Sequence, residues 1–154
     1  MSFRIEEKFP INTTQSIFFL KGLQNQGLET LYPRRKIESI YFDNHGRQIF
    51  TDSVEGSLPI KKIRVRKYPE QEDNIHNLEI KISSLEGRFK TSKQLTNSER
   101  LEIYTNGYFD YHYGLIFPVC KVSYFREYYE MRGARITLDT SIEYSSIGTN
   151  PTIK

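Results

Sequence analysis

Residues 61–68 read Lys-Lys-Ile-Arg-Val-Arg-Lys-Tyr, and this alternation restricts the fold more than any other stretch. A β-strand sends successive side chains to opposite faces. Lys62, Arg64, Arg66 and Tyr68 therefore share one face, and Ile63 and Val65 the other. The apolar face has to be buried against a core, so the three cations point towards a surface that the fold itself shapes. Guanidinium groups offer a planar fork of donors matched to phosphate or carboxylate oxygens, and they stay charged at any working pH. Taken alone, the segment is equally consistent with an amphipathic strand whose polar side meets solvent.

The pattern recurs. Residues 78–83 set Leu78, Ile80 and Ile82 against Glu79, Lys81 and Ser83. Residues 134–140 set Ile136 and Leu138 against Arg135, Thr137 and Asp139. Tyr124, Arg126, Tyr128 and Glu130 fall on one face of residues 121–130. In residues 3–9, Arg4, Glu6 and Lys8 oppose Phe3, Ile5 and Phe9, with Glu7 the exception. Five segments thus pair an apolar face with one mixing cations and carboxylates. If such a sheet closes, the polar faces converge on a charged lumen where low dielectric strengthens every contact.

At 154 residues the chain suits one domain, 1–154, with a weakly patterned tail from residue 141. No apolar run is long enough for a membrane span or a signal peptide. The net charge of +3 argues against a surface built wholly for nucleic acid. The single cysteine, Cys120, has no internal partner and sits in an apolar run, so it reads as a buried, inert thiol in a reducing cytoplasm. Eleven Tyr and ten Phe with no Trp suit a β-rich fold.

Asn12 or Thr13 after Pro10 predicts a helix reaching about Gly27, and residues 46–55 a second, short one. Strands are predicted over 35–43, 60–68, 75–83, 117–131 and 134–140, with a polar connection at 69–74 and an extended basic stretch through Arg88, Lys90 and Lys93. Asn97 or Ser98 caps a short helix through Tyr104. Arg34-Arg35-Lys36 reads as a solvated loop. The class is α+β: a closed or nearly closed antiparallel β-barrel with a few external helices.

Six motifs in this order carry a resemblance: Glu6-x-Lys8, Tyr41-Phe42-Asp43, Lys62-x-Arg64-x-Arg66, Glu79-x-Lys81, Tyr124-x-Arg126 and Arg135-x-Thr137-x-Asp139. Together they resemble the polyphosphate polymerase domain of the vacuolar transporter chaperone (VTC) proteins, a branch of the triphosphate tunnel metalloenzymes, over roughly residues 3–140. The resemblance implies a β tunnel that grips nucleoside triphosphate and inorganic polyphosphate. It also implies divalent-metal-dependent phosphoryl transfer or triphosphate hydrolysis. Lys8, Lys62, Arg64, Arg66, Lys81, Arg126 and Arg135 would then bind phosphate, with Tyr124 as a supporting hydroxyl. Glu6, Glu79 and Asp139 would be the metal ligands, and an oxygen-only set favours Mg or Mn. The family pattern continues to a strand with a metal-binding Glu and a helix with a basic residue. Both fall outside these 154 residues, as they would either in a shortened chain or in one that lacks the family's final wall.

Independent physics agrees with the phosphate reading, because a polyphosphate carries about one charge per phosphate and its transfer requires charge neutralisation above all. The alternative is a non-catalytic module that holds polyphosphate or another polyanion. A single-strand RNA binder fits less well, since carboxylates intersperse the cations. His45, His76 and His112 show no ligand spacing, and no Gly-rich phosphate loop or nucleophile elbow is present.

Overall fold

A computed structural model describes residues 6–71 and 75–148. Among these residues three helices, α1 (Thr13–Gln24), α2 (Gln48–Glu55) and α3 (Asn97–Asn106), accompany seven strands. The strands are β1 (Glu29–Asp43), β2 (Ile60–Lys67), β3 (His76–Ser84), β4 (Gly87–Leu95), β5 (Tyr108–Asp110), β6 (Gly114–Met131) and β7 (Ala134–Ser146). They hydrogen-bond in the order β4-β3-β2-β1-β6-β5, with β7 also paired to β6. The described residues fall into two compact units. One lies within Met1–Pro33 and Glu127–Leu138, the other within Arg34–Arg126 and Asp139–Lys154.

In the second unit the alternation of β2 fixes everything around it. Val65 lies opposite Ile40 and Leu78, and Ile63 opposite Ile80. A strand shifted by one residue would put these side chains on the wrong face. On the apolar side Ile63 and Val65 are almost fully buried with Phe42, Leu78, Leu95 and Ile116, under Ile49 of α2 and Ile103 and Tyr104 of α3. The helices therefore cover the apolar face of the sheet and leave its other face to the charged residues.

Local chemistry positions those helices. Asp43, at the end of β1, accepts from the Ile49 and Phe50 amides at 2.9 and 3.0 Å and so satisfies the first turn of α2. Thr96 and Glu99 form a reciprocal cap on α3: the Glu99 amide donates to Thr96 Oγ1 at 3.2 Å and the Thr96 amide to Glu99 Oε2 at 2.9 Å. Lys93 of β4 reaches the same carboxylate at 2.7 Å. Gly107 ends α3 at φ +83°, and a Cβ there would stand 2.8 Å from the Ile116 carbonyl oxygen, so only glycine lets β6 approach. Thr96→Ala is expected to cost about 1 kcal/mol of stability, the usual value of a lost N-cap, read as a lower urea midpoint at unchanged slope.

Several expectations need correction. Arg34-Arg35-Lys36 is not loop but part of β1, which begins six residues before the predicted strand. There Arg34 lies over the Phe125 ring at 4.0 Å and Arg35 over the Tyr68 ring at 5.4 Å, contacts that pay for ordering long side chains. Strand β7 runs on to Ser146, through the start of the supposed tail. Of the first predicted strand, residues 3–5 lie outside the described residues, and residues 6–9 form no strand. Cys120 is half-buried rather than buried. The sheet does not close: among the described residues no pairing joins β4 to β5 or β7. The β4 edge carries Arg88, Lys90 and Lys93, charges that discourage further strand pairing.

Candidate phosphate-binding site

The polar face of β4-β3-β2-β1 is ordered in rows, because directly opposed residues of antiparallel strands share a face. In the central row Arg64 lies between Tyr41 and Glu79. Its Nε and Nη2 donate to Glu79 Oε2 at 2.9 and 2.6 Å, and its Nη1 donates to the Tyr41 hydroxyl at 2.9 Å. The other Glu79 oxygen lies 2.9 Å from Lys90 Nζ. In the next row Arg66 lies between Ser39 and Asn77. It donates to Ser39 Oγ at 3.1 Å and to the Tyr124 hydroxyl of β6 at 3.3 Å. Arg126 forks onto Asp139 of β7, Nε to Oδ1 at 2.6 Å and Nη2 to Oδ2 at 2.7 Å, and its guanidinium sits 5.2 Å from the Tyr124 ring centre.

The remaining row is different in kind. Lys62 of β2 lies opposite Lys81 of β3, and Lys81 opposite Lys90 of β4. Three lysines thus lie in register across three strands, with the Lys90 ammonium turned onto Glu79, and like charges directly opposed are destabilising. Burial, followed by the charge of Arg64, holds the Lys81 ammonium below the ordinary lysine range. Burial would push the Glu79 carboxyl up, but Lys90 and Arg64 outweigh it and hold it at about 2. Burial pushes the Tyr124 hydroxyl up, with Arg66 and Arg126 opposing. Arg64 and Arg66 are only 9% exposed, so these charges are held in place rather than waving in solvent.

Lys62, Arg64, Arg66, Lys81, Tyr124 and Arg126 therefore come together in one unit, with Glu79 and Asp139 as their counter-charges. Glu6, Lys8 and Arg135 belong to the other unit. There Glu6 and Lys8 are exposed and 3.7 Å apart, and Arg135 is exposed on β7. Sequence reasoning omitted Ser39, Tyr41 and Lys90 from the site. The strand alternation of 77–83 and 87–95 across a two-residue turn would have placed Lys90 beside Lys81. Glu79 and Asp139, paired as they are, do not fit a resident Mg or Mn. Both oxygens of Glu79 and of Asp139 are engaged by cationic side chains, and among the described residues no three His, Cys, Asp or Glu gather as a metal site.

Residues 3–112 match the family model of the VTC domain. Among solved structures, a proposed adenylate cyclase from Bacillus halodurans is similar with a TM-score of 0.50 and 12% identity, over 91% of this chain and 77% of that one. Another, from Vibrio parahaemolyticus, has a TM-score of 0.49 and 14% identity, over 87% and 71% of the respective chains. No curated protein matches the chain. At 12% identity the likeness to the Bacillus protein concerns the fold alone. With the family model matching most of its length, and the Lys-x-Arg-x-Arg and Glu-x-Lys strands paired in register, the chain belongs to the VTC domain family.

Proposed function

We propose that the polar face of this sheet binds the phosphates of a nucleoside triphosphate and of inorganic polyphosphate. On this reading it supports phosphoryl transfer between them, as a polyphosphate polymerase does, or hydrolysis of the triphosphate. The lysine row Lys62–Lys81–Lys90 carries the reading. Three lysines in register, Lys90 among them paired with Glu79, concentrate positive charge that a chain of anionic phosphates laid along them would neutralise. Arg64 and Arg66 occupy the next two rows and present fixed guanidinium groups, which suits a reaction governed by positioning and by neutralising charge on the transferred group. Tyr124, held against Arg66, supplies a hydroxyl to a phosphate oxygen. The single thiol, needing no disulfide, suits the cytoplasm as the site of action, and no described helix is long and apolar enough to cross a membrane.

A second reading, a module that holds polyphosphate without catalysis, is favoured by one observation. Glu79 and Asp139 are committed to cationic side chains, which leaves them poor donors for a metal ion. Calorimetry with tripolyphosphate at two salt concentrations tests what both readings share. Binding is expected at low salt and should weaken steeply as salt rises. No heat at millimolar ligand and low salt would reduce the basic face to surface. Chain growth or phosphate release from ATP with added Mg or Mn would then select the enzyme, and binding without turnover the module.

A further inference from the structure

The opposite face of the same strands carries a second concentration of charge around a cavity of about 240 Å³. Its floor is apolar: Ile40, Val65 and Tyr104, the last stacked on Phe42 with ring centres 6.1 Å apart. Its polar lining is dominated by cations. Lys67 and Lys121 lie 3.1 and 3.4 Å from Glu38 Oε2, and Lys36 stands 3.9 Å from Oε1. Across the cavity Arg100 of α3 rests against the ring of His76, its Nη1 3.2 and 3.4 Å from the two nitrogens. Burial would raise the Glu38 carboxyl, but Lys67 and Lys121 prevail and keep it ionised at neutral pH.

A purely structural ion-pair lattice balances its charges. Here Lys67, Lys121 and Arg100 line the cavity against one carboxylate, and that carboxylate is also shared with Lys36. Each ammonium has three donors and Arg100 has five, more than Glu38 and His76 can accept. The volume lies just under the roughly 300 Å³ at which pockets for drug-sized ligands begin, and far above the ~10–15 Å³ that a single water needs. An apolar floor beneath a cationic rim matches a ligand with an apolar body and an anionic head.

We infer that this cavity is a binding site for a compact organic monophosphate, its apolar or aromatic part on Ile40, Val65 and Tyr104 and its phosphate among Lys67, Lys121 and Arg100. The site is separate from the lysine row, because Lys67 and Glu38 point to the face opposite Arg66 and Ser39.

Phenyl phosphate serves as the probe, titrated by calorimetry and by amide chemical shifts into the full chain. It should bind at least about tenfold more tightly than inorganic phosphate, the difference coming from the buried ring. Lys121→Met and Arg100→Met should each weaken it about tenfold through loss of a charge-assisted hydrogen bond, while tripolyphosphate binding stays within about twofold. Lys62→Met, on the other face, should leave phenyl phosphate binding unchanged. Equal binding of inorganic phosphate would overturn the ligand class. Unaltered phenyl phosphate binding in both cavity variants, or its loss in Lys62→Met, would overturn the site. Because tripolyphosphate binding is read in the same variants, failure of the cavity and failure of the polar face give different results.

Discussion

Glu79→Ala should lower the unfolding free energy by about 3–5 kcal/mol, the cost of removing one partner from a buried ion pair. The carboxylate is 5% exposed and accepts from Arg64 through two nitrogens and from Lys90 through a third, with Arg66 Nη1 at 3.9 Å. Without it, two buried guanidinium groups face the lysine row with no nearby anion. The same geometry sets an acid dependence. The Glu79 carboxyl lies at about 2 when folded, below its ordinary 4.5. Its contribution is therefore complete above pH 4.5 and is lost as the pH falls towards 2. Urea melts across that range should show a slope in the parent that is reduced in Glu79→Gln. Millimolar tripolyphosphate should raise the melting temperature of Glu79→Ala more than that of the parent, because phosphate oxygens replace the missing carboxylate. A loss below about 1 kcal/mol would show that Glu79 is not the hub of this face.

Arg66→Ala should weaken tripolyphosphate binding by about 1.5–3 kcal/mol, and by more than Arg126→Ala does. The ordering follows from what each arginine already holds. Arg126 forks onto Asp139 with two short bonds, so much of its charge is offset within the protein. Arg66 donates to two neutral hydroxyls, Ser39 and Tyr124, and its nearest carboxylate oxygen is 3.9 Å away. Its field is consequently the more available to an anion. Calorimetry on both variants checks the order. An Arg66→Ala protein that binds as the parent does would remove Arg66 from the site.

The parts of the fold legible in the sequence are those where one face of a strand is buried. In β2 and β3 the period of two is uninterrupted, and the structure pairs Lys62, Arg64 and Arg66 with Lys81, Glu79 and Asn77 as that period requires. The start of β1 was hidden by Pro33 and three consecutive basic residues. Their side chains are ordered by aromatic rings distant in sequence, Phe125 and Tyr68, which no local pattern reveals. Strand β5 is three residues long, too short for alternation to register, and is held by pairing with residues 114–116. The pairing of the carboxylates was hidden for a related reason. A sequence shows that carboxylates share a face with cations, whereas only the distances show that Arg64, Lys90 and Arg126 already occupy them.

The two faces of β2 bear on how such a chain can change over evolutionary time. Arg64 and Arg66 alternate with Ile63 and Val65 on one backbone, each aligned with a specific residue on β3. Substitutions within this stretch alter one contact at a time. Insertion or deletion of a single codon would instead exchange core and charge along the remainder of the strand, placing guanidinium groups under α2 and α3. Length variation among descendants of this gene should therefore collect in the connection between Lys67 and His76, and the interval from Ile60 to Lys67 should keep a constant count of residues.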